Sequence, residues 1–397
     1  MVNRKHSLGL VWSIIRRGLL KKYVLIFVIL IAMVLFMQSV KVIQPNDKRE
    51  INPASPFYVK RCIPKYHIAF LKVHKSGSST VANIIQRFAL ENNLNVVLPL
   101  KKPHVSHYNY IGDSKPLTKQ SIIPLPNNQS YDILYNHVIY NRTFFRAILP
   151  PDTFYFAIVR EPVDRFLSAA RYYGLQKQLI KNGILNANST KYIFSKFLEN
   201  QRKLKTGHNN YVDNGMAHDF GVPRKQIHNI SFVKDYLKQL DKDFHFVMLM
   251  EYFDESLILL KKLLCWDIKH VLYIKLNTFK GHKDTDHDLS NADIARLHEW
   301  QEADFLIYKH FSFKFSQLIH SAGSDFLQEV RNFKDIVRQI NKFCIGVPKK
   351  SFTVTNSQWN EQFVITRDDC KRMNTRELKL HDMLVQKALD NLRLSSH

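Results

Sequence analysis

The residues whose types and spacing could do chemistry begin with a loop of seven small or basic residues, 74–80 (His-Lys-Ser-Gly-Ser-Ser-Thr). Where such a loop enters a helix, backbone N–H groups, hydroxyls and a lysine converge on one point, which suits a bound phosphate or sulfate. An ordinary strand-to-helix connection capped by Ser or Thr has a similar composition. The Gly-x-x-x-x-Gly-Lys-Ser/Thr pattern of nucleoside triphosphatases is absent. Lys75 instead precedes the small residues, where it could neutralise charge on a leaving oxygen.

A second group that could hold an anion follows the apolar run 154–159. Arg160 ends that run, and Ser168 lies about two turns into the helix that starts after it. The guanidinium would present a fork of donors to a phosphate, and the serine could add a hydroxyl. An arginine that ends a strand also often forms a surface ion pair. Two such groups at the carboxyl ends of neighbouring parallel strands would form a bipartite anion pocket.

The elements that must position these residues alternate between strands and helices. Apolar runs predict strands at 68–73, 132–135, 154–159, 244–250 and 271–276, and helical spacing follows the first, third and fourth of them. The third run is apolar throughout, as expected for a central strand that is covered on both faces. From residue 290 the pattern is helical, with a long amphipathic run over 305–343. We therefore expect an α/β fold with a central parallel β-sheet flanked by helices and a helical C-terminal region.

The N-terminus predicts a membrane anchor. Residues 23–37 are fifteen consecutive apolar residues, continued to residue 40, and six basic residues but no acidic ones precede them. A cleaved signal peptide would have a shorter apolar core and a small-residue cleavage site. We expect a cytosolic tail (1–22), a transmembrane signal anchor (23–40), a proline-containing stem (41–64), an α/β core (65–289) and a helical C-terminal part of the same catalytic domain (290–397).

A lumenal body agrees with two further features. Glycosylation sequons begin at Asn128, Asn141, Asn188 and Asn229. Four cysteines lie beyond the anchor, at Cys62, Cys265, Cys344 and Cys370, and an oxidising compartment would let them form disulfides in any of three pairings, or they could stay free and buried. The formal net charge of +24 indicates anionic partners, and a lumenal body argues against nucleic acid among them.

Several of these segments resemble a known family. Residues 71–80 resemble the 5′-phosphosulfate loop of Golgi carbohydrate sulfotransferases, and residues 158–162 with Ser168 resemble their 3′-phosphate site. The similarity is greater to the galactose 3-O-sulfotransferases, which include galactosylceramide sulfotransferase, because it extends to Asn136-His137 and to 251–266 and 271–277. It covers roughly residues 66–280. Where the family usually has Thr-Ala-Gly, this chain has Ser-Gly-Ser at 76–78, so the glycine is shifted by one position.

The resemblance implies a P-loop-like sulfotransferase fold that uses 3′-phosphoadenosine 5′-phosphosulfate as donor. The implied donor-binding residues are Lys72, His74, Lys75, Ser76, Gly77, Ser78, Ser79, Thr80, Arg160 and Ser168. The implied acceptor is the 3-hydroxyl of a galactose on a glycolipid or a glycoprotein glycan. The enzyme would be a type II Golgi membrane protein, with a homodimer as one option for its assembly.

The implied chemistry is an in-line displacement that depends on positioning and charge stabilisation, and it requires no metal. Lys75 would act at the leaving group. A histidine is the natural base for the acceptor hydroxyl near neutral pH. We favour His137, which matches the Asn-His motif of the family, and His74 is the alternative.

Two other functions fit parts of the sequence. A type II glycosyltransferase would bind a divalent metal through an Asp-x-Asp motif, here residues 284–286, but this tripeptide lies in a wholly polar segment typical of a solvated loop. A catalytically inactive relative could bind glycans or anionic head groups. The joint presence of Lys75, His137, Arg160 and Ser168 argues against the inactive relative.

Overall fold

The computed structural model describes residues 62–100, 118–126, 128–186, 188, 192–201, 211–274, 289–346 and 349–395. Over these ranges, no helix is long and apolar enough to cross a membrane. The predicted tail, anchor and most of the stem (1–61) lie outside the described residues, as does the Asp-x-Asp tripeptide at 284–286.

The centre of the fold is a four-stranded parallel sheet with the strand order β2-β1-β3-β4. Its strands are β1 (Ile68–Leu71), β2 (Ile133–Leu134), β3 (Phe154–Val159) and β4 (Phe246–Leu249). Every residue of these strands is buried, which explains why each reads as an uninterrupted apolar run. The four strand predictions and the central position of β3 are confirmed.

The fifth predicted strand, at 271–276, is wrong over its described part. Ile268–Val271 is a short 3-10 helix, and 272–274 form no strand. Leu272, Tyr273 and Ile274 are nevertheless buried. An apolar run indicates burial, and burial here comes from packing against helices rather than from pairing with a strand.

The helices of the α/β part follow the strands in the expected alternation. They are α1 (Ser78–Glu91), α2 (Arg142–Ile148), α3 (Pro162–Tyr172), α4 (Leu175–Lys181), α5 (Ile193–Asn200), α6 (Gly215–Asp219), α7 (Ile230–Asp243) and α8 (Phe253–Leu264). The main core joins the sheet to α1, α7 and α8. A second, smaller cluster around Phe166, Phe197 and Leu297 holds α3, α4 and α5 together.

The C-terminal region is mostly helical but contains a hairpin that the sequence did not predict. Its helices are α9 (Asn291–Trp300), α10 (Glu302–Ser321), α11 (Phe326–Gly346), α12 (Arg367–Asn374) and α13 (Glu377–Ser395). The amphipathic run 305–343 is two helices, separated near Gly323, whose φ of +94° is left-handed. Strands β5 (Ser351–Val354) and β6 (Phe363–Thr366) pair antiparallel.

Two disulfides and one helix connect the two ends of the described part of the chain to its core. The cysteines pair as Cys62–Cys265 and Cys344–Cys370, which decides among the three pairings and leaves none of the four free. Helix α13 packs against α1, and Gln86 of α1 donates a side-chain hydrogen bond to the Glu377 carbonyl (3.1 Å). The C-terminal region therefore reaches the helix that carries the predicted anion loop.

Candidate functional site

The predicted site residues lie where the parallel strands end. The loop 72–77 follows β1, His137 follows β2, Arg160 follows β3 and Met250 follows β4. Because the carboxyl ends of parallel strands share one edge of the sheet, the four strands together supply one site.

The loop between β1 and α1 turns through two left-handed residues, Lys75 (φ +65°) and Gly77 (φ +74°). A Cβ at Gly77 would also collide with the Met250 side chain. Within the described chain, no side chain caps the first turn of α1. The position of the glycine is therefore fixed both by backbone conformation and by contact, and the first turn of α1 presents its N–H groups without a side-chain acceptor.

The hydroxyl groups at residues 76–80 differ in burial and in hydrogen bonding. The Ser78 hydroxyl donates to the Val73 carbonyl (2.9 Å) and holds the loop closed. Ser76 is fully buried, and its Oγ has no hydrogen-bond partner among the described residues. Ser79 is exposed and Thr80 half-buried. A buried hydroxyl without a partner is costly, so the Ser76 hydroxyl has an unused capacity to form a hydrogen bond.

Lys75 and Arg160 bring two cations to the same region. Burial lowers the pKa of Lys75, and the positive charges of Arg160 and Lys72 lower it further. The Lys75 ammonium lies 3.7 Å from the centre of the Tyr172 ring, and Arg160 forms a 3.4 Å ion pair with the mostly exposed Asp164. Crowded cations of this kind are stabilised when an anion binds between them. Ser168 lies on α3, half-buried, in the same helix as Asp164 and Tyr172.

Lys72 points into the protein. Its side chain is 2% exposed, and its ammonium donates to both carboxylate oxygens of Glu377, at 2.7 and 2.8 Å. It also donates to His137 Nε2 (3.0 Å). Burial lowers the pKa of Lys72, and the negative charge of Glu377 opposes that shift. Lys72 is thus a buried residue that holds His137, and its charge is balanced by Glu377, 305 positions away in the chain.

His137 is held in one orientation by Lys72. Its Nδ1 donates to the Lys72 carbonyl (3.1 Å), so its Nε2 is the nitrogen that accepts from the Lys72 ammonium. Burial lowers the pKa of His137 well below 6.5, with the charge of Lys72 as the next cause. The ring is therefore neutral and stacks on His74, with centroids 4.0 Å apart.

His74 is held by a carboxylate. Its backbone N–H donates to Asp219 Oδ2 (2.7 Å), and its Nδ1 donates to Asp219 Oδ1 (2.9 Å). The Tyr211 ring covers it, with centroids 3.8 Å apart. Sequence reasoning missed Asp219, Tyr211 and Glu377, because each comes from a distant part of the chain and none belongs to a local motif.

The other predicted positions lie on the surface. Asn141 and Asn229 are exposed N-caps of α2 and α7, and Asn128 and Asn188 are exposed as well. The described residues contain no group of three His, Cys, Asp or Glu side chains that could hold a metal ion.

A buried parallel sheet with a glycine-containing loop and two nearby cations at its carboxyl edge is an arrangement typical of α/β proteins that bind phosphorylated nucleotides. Comparison with known proteins identifies the family. The family model named galactose-3-O-sulfotransferase matches residues 8–358, and the chain belongs to this family.

Individual relatives are moderately similar. Galactose-3-O-sulfotransferase 2 of Mus musculus is 29% identical over 305 residues, which cover 74% of each chain. The Sus scrofa protein of the same name is 30% identical over 302 residues, covering 74% of this chain and 73% of the relative. Galactosylceramide sulfotransferase of Homo sapiens is 28% identical over 288 residues, covering 72% of this chain and 65% of the relative.

Proposed function

We propose that this enzyme transfers a sulfuryl group from 3′-phosphoadenosine 5′-phosphosulfate to the 3-hydroxyl of a terminal galactose. The observation that carries the proposal is the convergence of Lys75, Arg160 and the uncapped first turn of α1 at one edge of the sheet, in a chain that belongs to the galactose-3-O-sulfotransferase family. This donor carries one phosphate on the 3′ oxygen and one on the 5′ oxygen of its ribose, which matches two separate anion-binding groups.

The residues present fit this donor. The buried Ser76 hydroxyl, which lacks a protein partner in the described chain, and the N–H groups of the first turn of α1 suit the 5′-phosphosulfate. Gly77, the N-cap of α1, and Ser78, Ser79 and Thr80, its first three residues, belong to the same proposed binding group. Arg160 and Ser168 suit the 3′-phosphate, because a guanidinium binds phosphate through two parallel hydrogen bonds. Lys72 acts indirectly, by holding His137.

The donor supplies a sulfuryl group on a good leaving group, and the protein supplies position and charge. Lys75 stabilises the negative charge that develops on the leaving phosphate oxygen. One of the two stacked histidines accepts the proton of the galactose 3-hydroxyl as its oxygen bonds to sulfur. Transfer of this kind has a loose transition state, so alignment of the two oxygens dominates the rate.

We infer the cellular setting from the sequence and the family. The acceptor galactose belongs to a glycolipid, such as the galactosylceramide in the name of one relative, or to a glycoprotein glycan. The protein is a single-pass type II Golgi membrane protein with a lumenal P-loop-like sulfotransferase domain, glycosylated at one or more of Asn128, Asn141, Asn188 and Asn229. A homodimer is compatible with this arrangement.

The proposal is tested with full-length protein in detergent, labelled sulfonucleotide and a panel of galactosides: galactosylceramide, lactosides and N-acetyllactosamine. We expect transfer to at least one galactoside, unchanged by a metal chelator. Arg160→Ala should raise the donor KM by about 10- to 100-fold with a smaller effect on kcat, since a charge-assisted bond to phosphate is worth about 1.5–3 kcal/mol. Sugar transfer from a nucleotide sugar that is abolished by chelator would instead establish the glycosyltransferase alternative.

A further inference from the structure

Asp219 accepts hydrogen bonds from two groups of His74, the backbone N–H and the ring Nδ1–H. One carboxylate oxygen accepts the His74 backbone N–H (2.7 Å) and the other accepts Nδ1–H (2.9 Å). Both residues are buried, with side-chain exposures of 6% and 2%. Since a carboxylate can only accept, Nδ1 carries the proton and the lone pair of the neutral ring lies on Nε2. This is the tautomer that a general base needs.

His137 has a different hydrogen-bond environment. Its Nδ1 also donates, but its Nε2 accepts a hydrogen bond from the Lys72 ammonium (3.0 Å). That ammonium is itself fixed by the two oxygens of Glu377. For His137 to take a proton, it would have to lose this bond and place a second positive charge beside Lys72. Protonation of His74 would instead be stabilised by the adjacent Asp219 carboxylate, and this contact favours His74 over His137 as the base.

The element that carries Asp219 is fixed in place by a buried ion pair. Asp304 accepts the backbone N–H groups of Met216 (3.2 Å) and Ala217 (2.8 Å), at the start of α6. Arg165 pairs with Asp304 (3.2 Å), and both side chains are fully buried. A Cβ at Gly215 would collide with the Arg165 guanidinium, so the glycine permits this close approach. These contacts hold α6, which ends at Asp219, beside the loop.

We propose that Asp219 is a positioning residue that holds His74 as the base for the acceptor hydroxyl. The inference rests on the proposed sulfuryl transfer. As the galactose O3 bonds to sulfur, its proton passes to His74 Nε2. The bond from sulfur to the leaving phosphate oxygen breaks, and its electron pair stays on that oxygen, beside Lys75. The Asp219 carboxylate then stabilises the imidazolium through Nδ1–H.

The test is Asp219→Asn in the full-length protein. An asparagine can still accept the backbone N–H, but its amide NH₂ would face Nδ1 and favour the tautomer with the proton on Nε2, which cannot act as a base. We expect kcat to fall about 100-fold or more, the usual contribution of general base catalysis. The donor KM and the affinity for adenosine 3′,5′-bisphosphate should change less than about threefold, well under one strong hydrogen bond. Asp213→Asn, the same change six residues earlier in the chain, is the control and should keep wild-type kcat.

A double-mutant cycle separates positioning from a merely structural role. If Asp219 acts through His74, then His74→Gln and the double variant should have similar kcat, because the second change removes nothing more. Wild-type kcat in Asp219→Asn, additive effects in the cycle, or loss of bisphosphate binding in step with kcat would each overturn the inference. If the wild-type enzyme transfers no sulfate to any galactoside, the proposed function fails as well, and that result is distinct from the other three.

Discussion

The ion pair between Lys72 and Glu377 joins the anion loop to the last helix, and Glu377→Gln is expected to destabilise the whole protein. The pair is well buried, with side-chain exposures of 2% and 13%. Glu377 contributes two hydrogen bonds of 2.7 and 2.8 Å to the same ammonium. Removing its charge leaves the buried Lys72 ammonium beside two neutral groups, the new amide and the His137 imidazole.

Two energies limit the expected loss in unfolding free energy of Glu377→Gln. Breaking a buried pair by removing one partner costs about 3–5 kcal/mol. Lys72 can limit that cost by losing its proton, and releasing a proton from a lysine of ordinary pKa 10.5 at pH 7 costs about 5 kcal/mol. Because glutamine still offers one acceptor oxygen, we place the loss in unfolding free energy near the lower bound, at about 3 kcal/mol.

Urea unfolding followed by tryptophan fluorescence measures this loss. The control is Glu199→Gln, which breaks the surface pair with Lys196 (side-chain exposures 45% and 40%) and should cost less than about 0.5 kcal/mol. The double variant Lys72→Met/Glu377→Leu should be more stable than Glu377→Gln, because it leaves no unpaired charge. A loss below about 1 kcal/mol in Glu377→Gln, equal to that of a surface pair, would refute the reasoning.

Two further predictions concern Gly77 of the loop and His137. Gly77→Ala should lower the free energy of unfolding by about 1 kcal/mol more than Gly183→Ala, and it should also weaken donor binding. Both glycines are left-handed, but only a Cβ at Gly77 would collide with Met250. Equal shifts in melting temperature for the two variants would count against this prediction. His137→Gln should flatten the fall in stability below pH 6.5. Burial lowers the folded-state pKa of His137, so the unfolded chain binds one more proton there and wild-type stability drops by up to about 1.4 kcal/mol per pH unit. Urea unfolding from pH 7.5 to 5 checks this, and parallel curves for the two proteins would contradict it.

The sequence predicted the sheet well because a strand that is buried on both faces appears in the sequence as an uninterrupted apolar run. Strand β3 (Phe154–Val159) agrees with its predicted bounds, since both of its faces are covered and every position is apolar. The same signal failed at 271–276, where apolar residues pack without pairing. It also missed the hairpin of β5 and β6, whose mostly exposed strands carry too few buried positions to stand out in a charged segment.

The sequence could predict only those site residues that follow a strand or belong to a local motif. Lys75 and Arg160 follow strands that the topology of a parallel sheet brings to one edge, so their proximity could be anticipated. Asp219 and Glu377 hold His74 and Lys72 from 145 and 305 positions away, and no spacing rule connects residues so far apart. The assignment of roles to the two histidines therefore needed the structure.

The most direct test of the central claim is the linkage of the sulfate in the product. Full-length protein is incubated with labelled 3′-phosphoadenosine 5′-phosphosulfate and the best galactoside of the panel, and the product is analysed by NMR. We predict sulfate on O3 of galactose for the wild-type enzyme, and none for Lys75→Ala despite wild-type thermal stability. Sulfate at another position, or undiminished transfer by Lys75→Ala, would contradict the account.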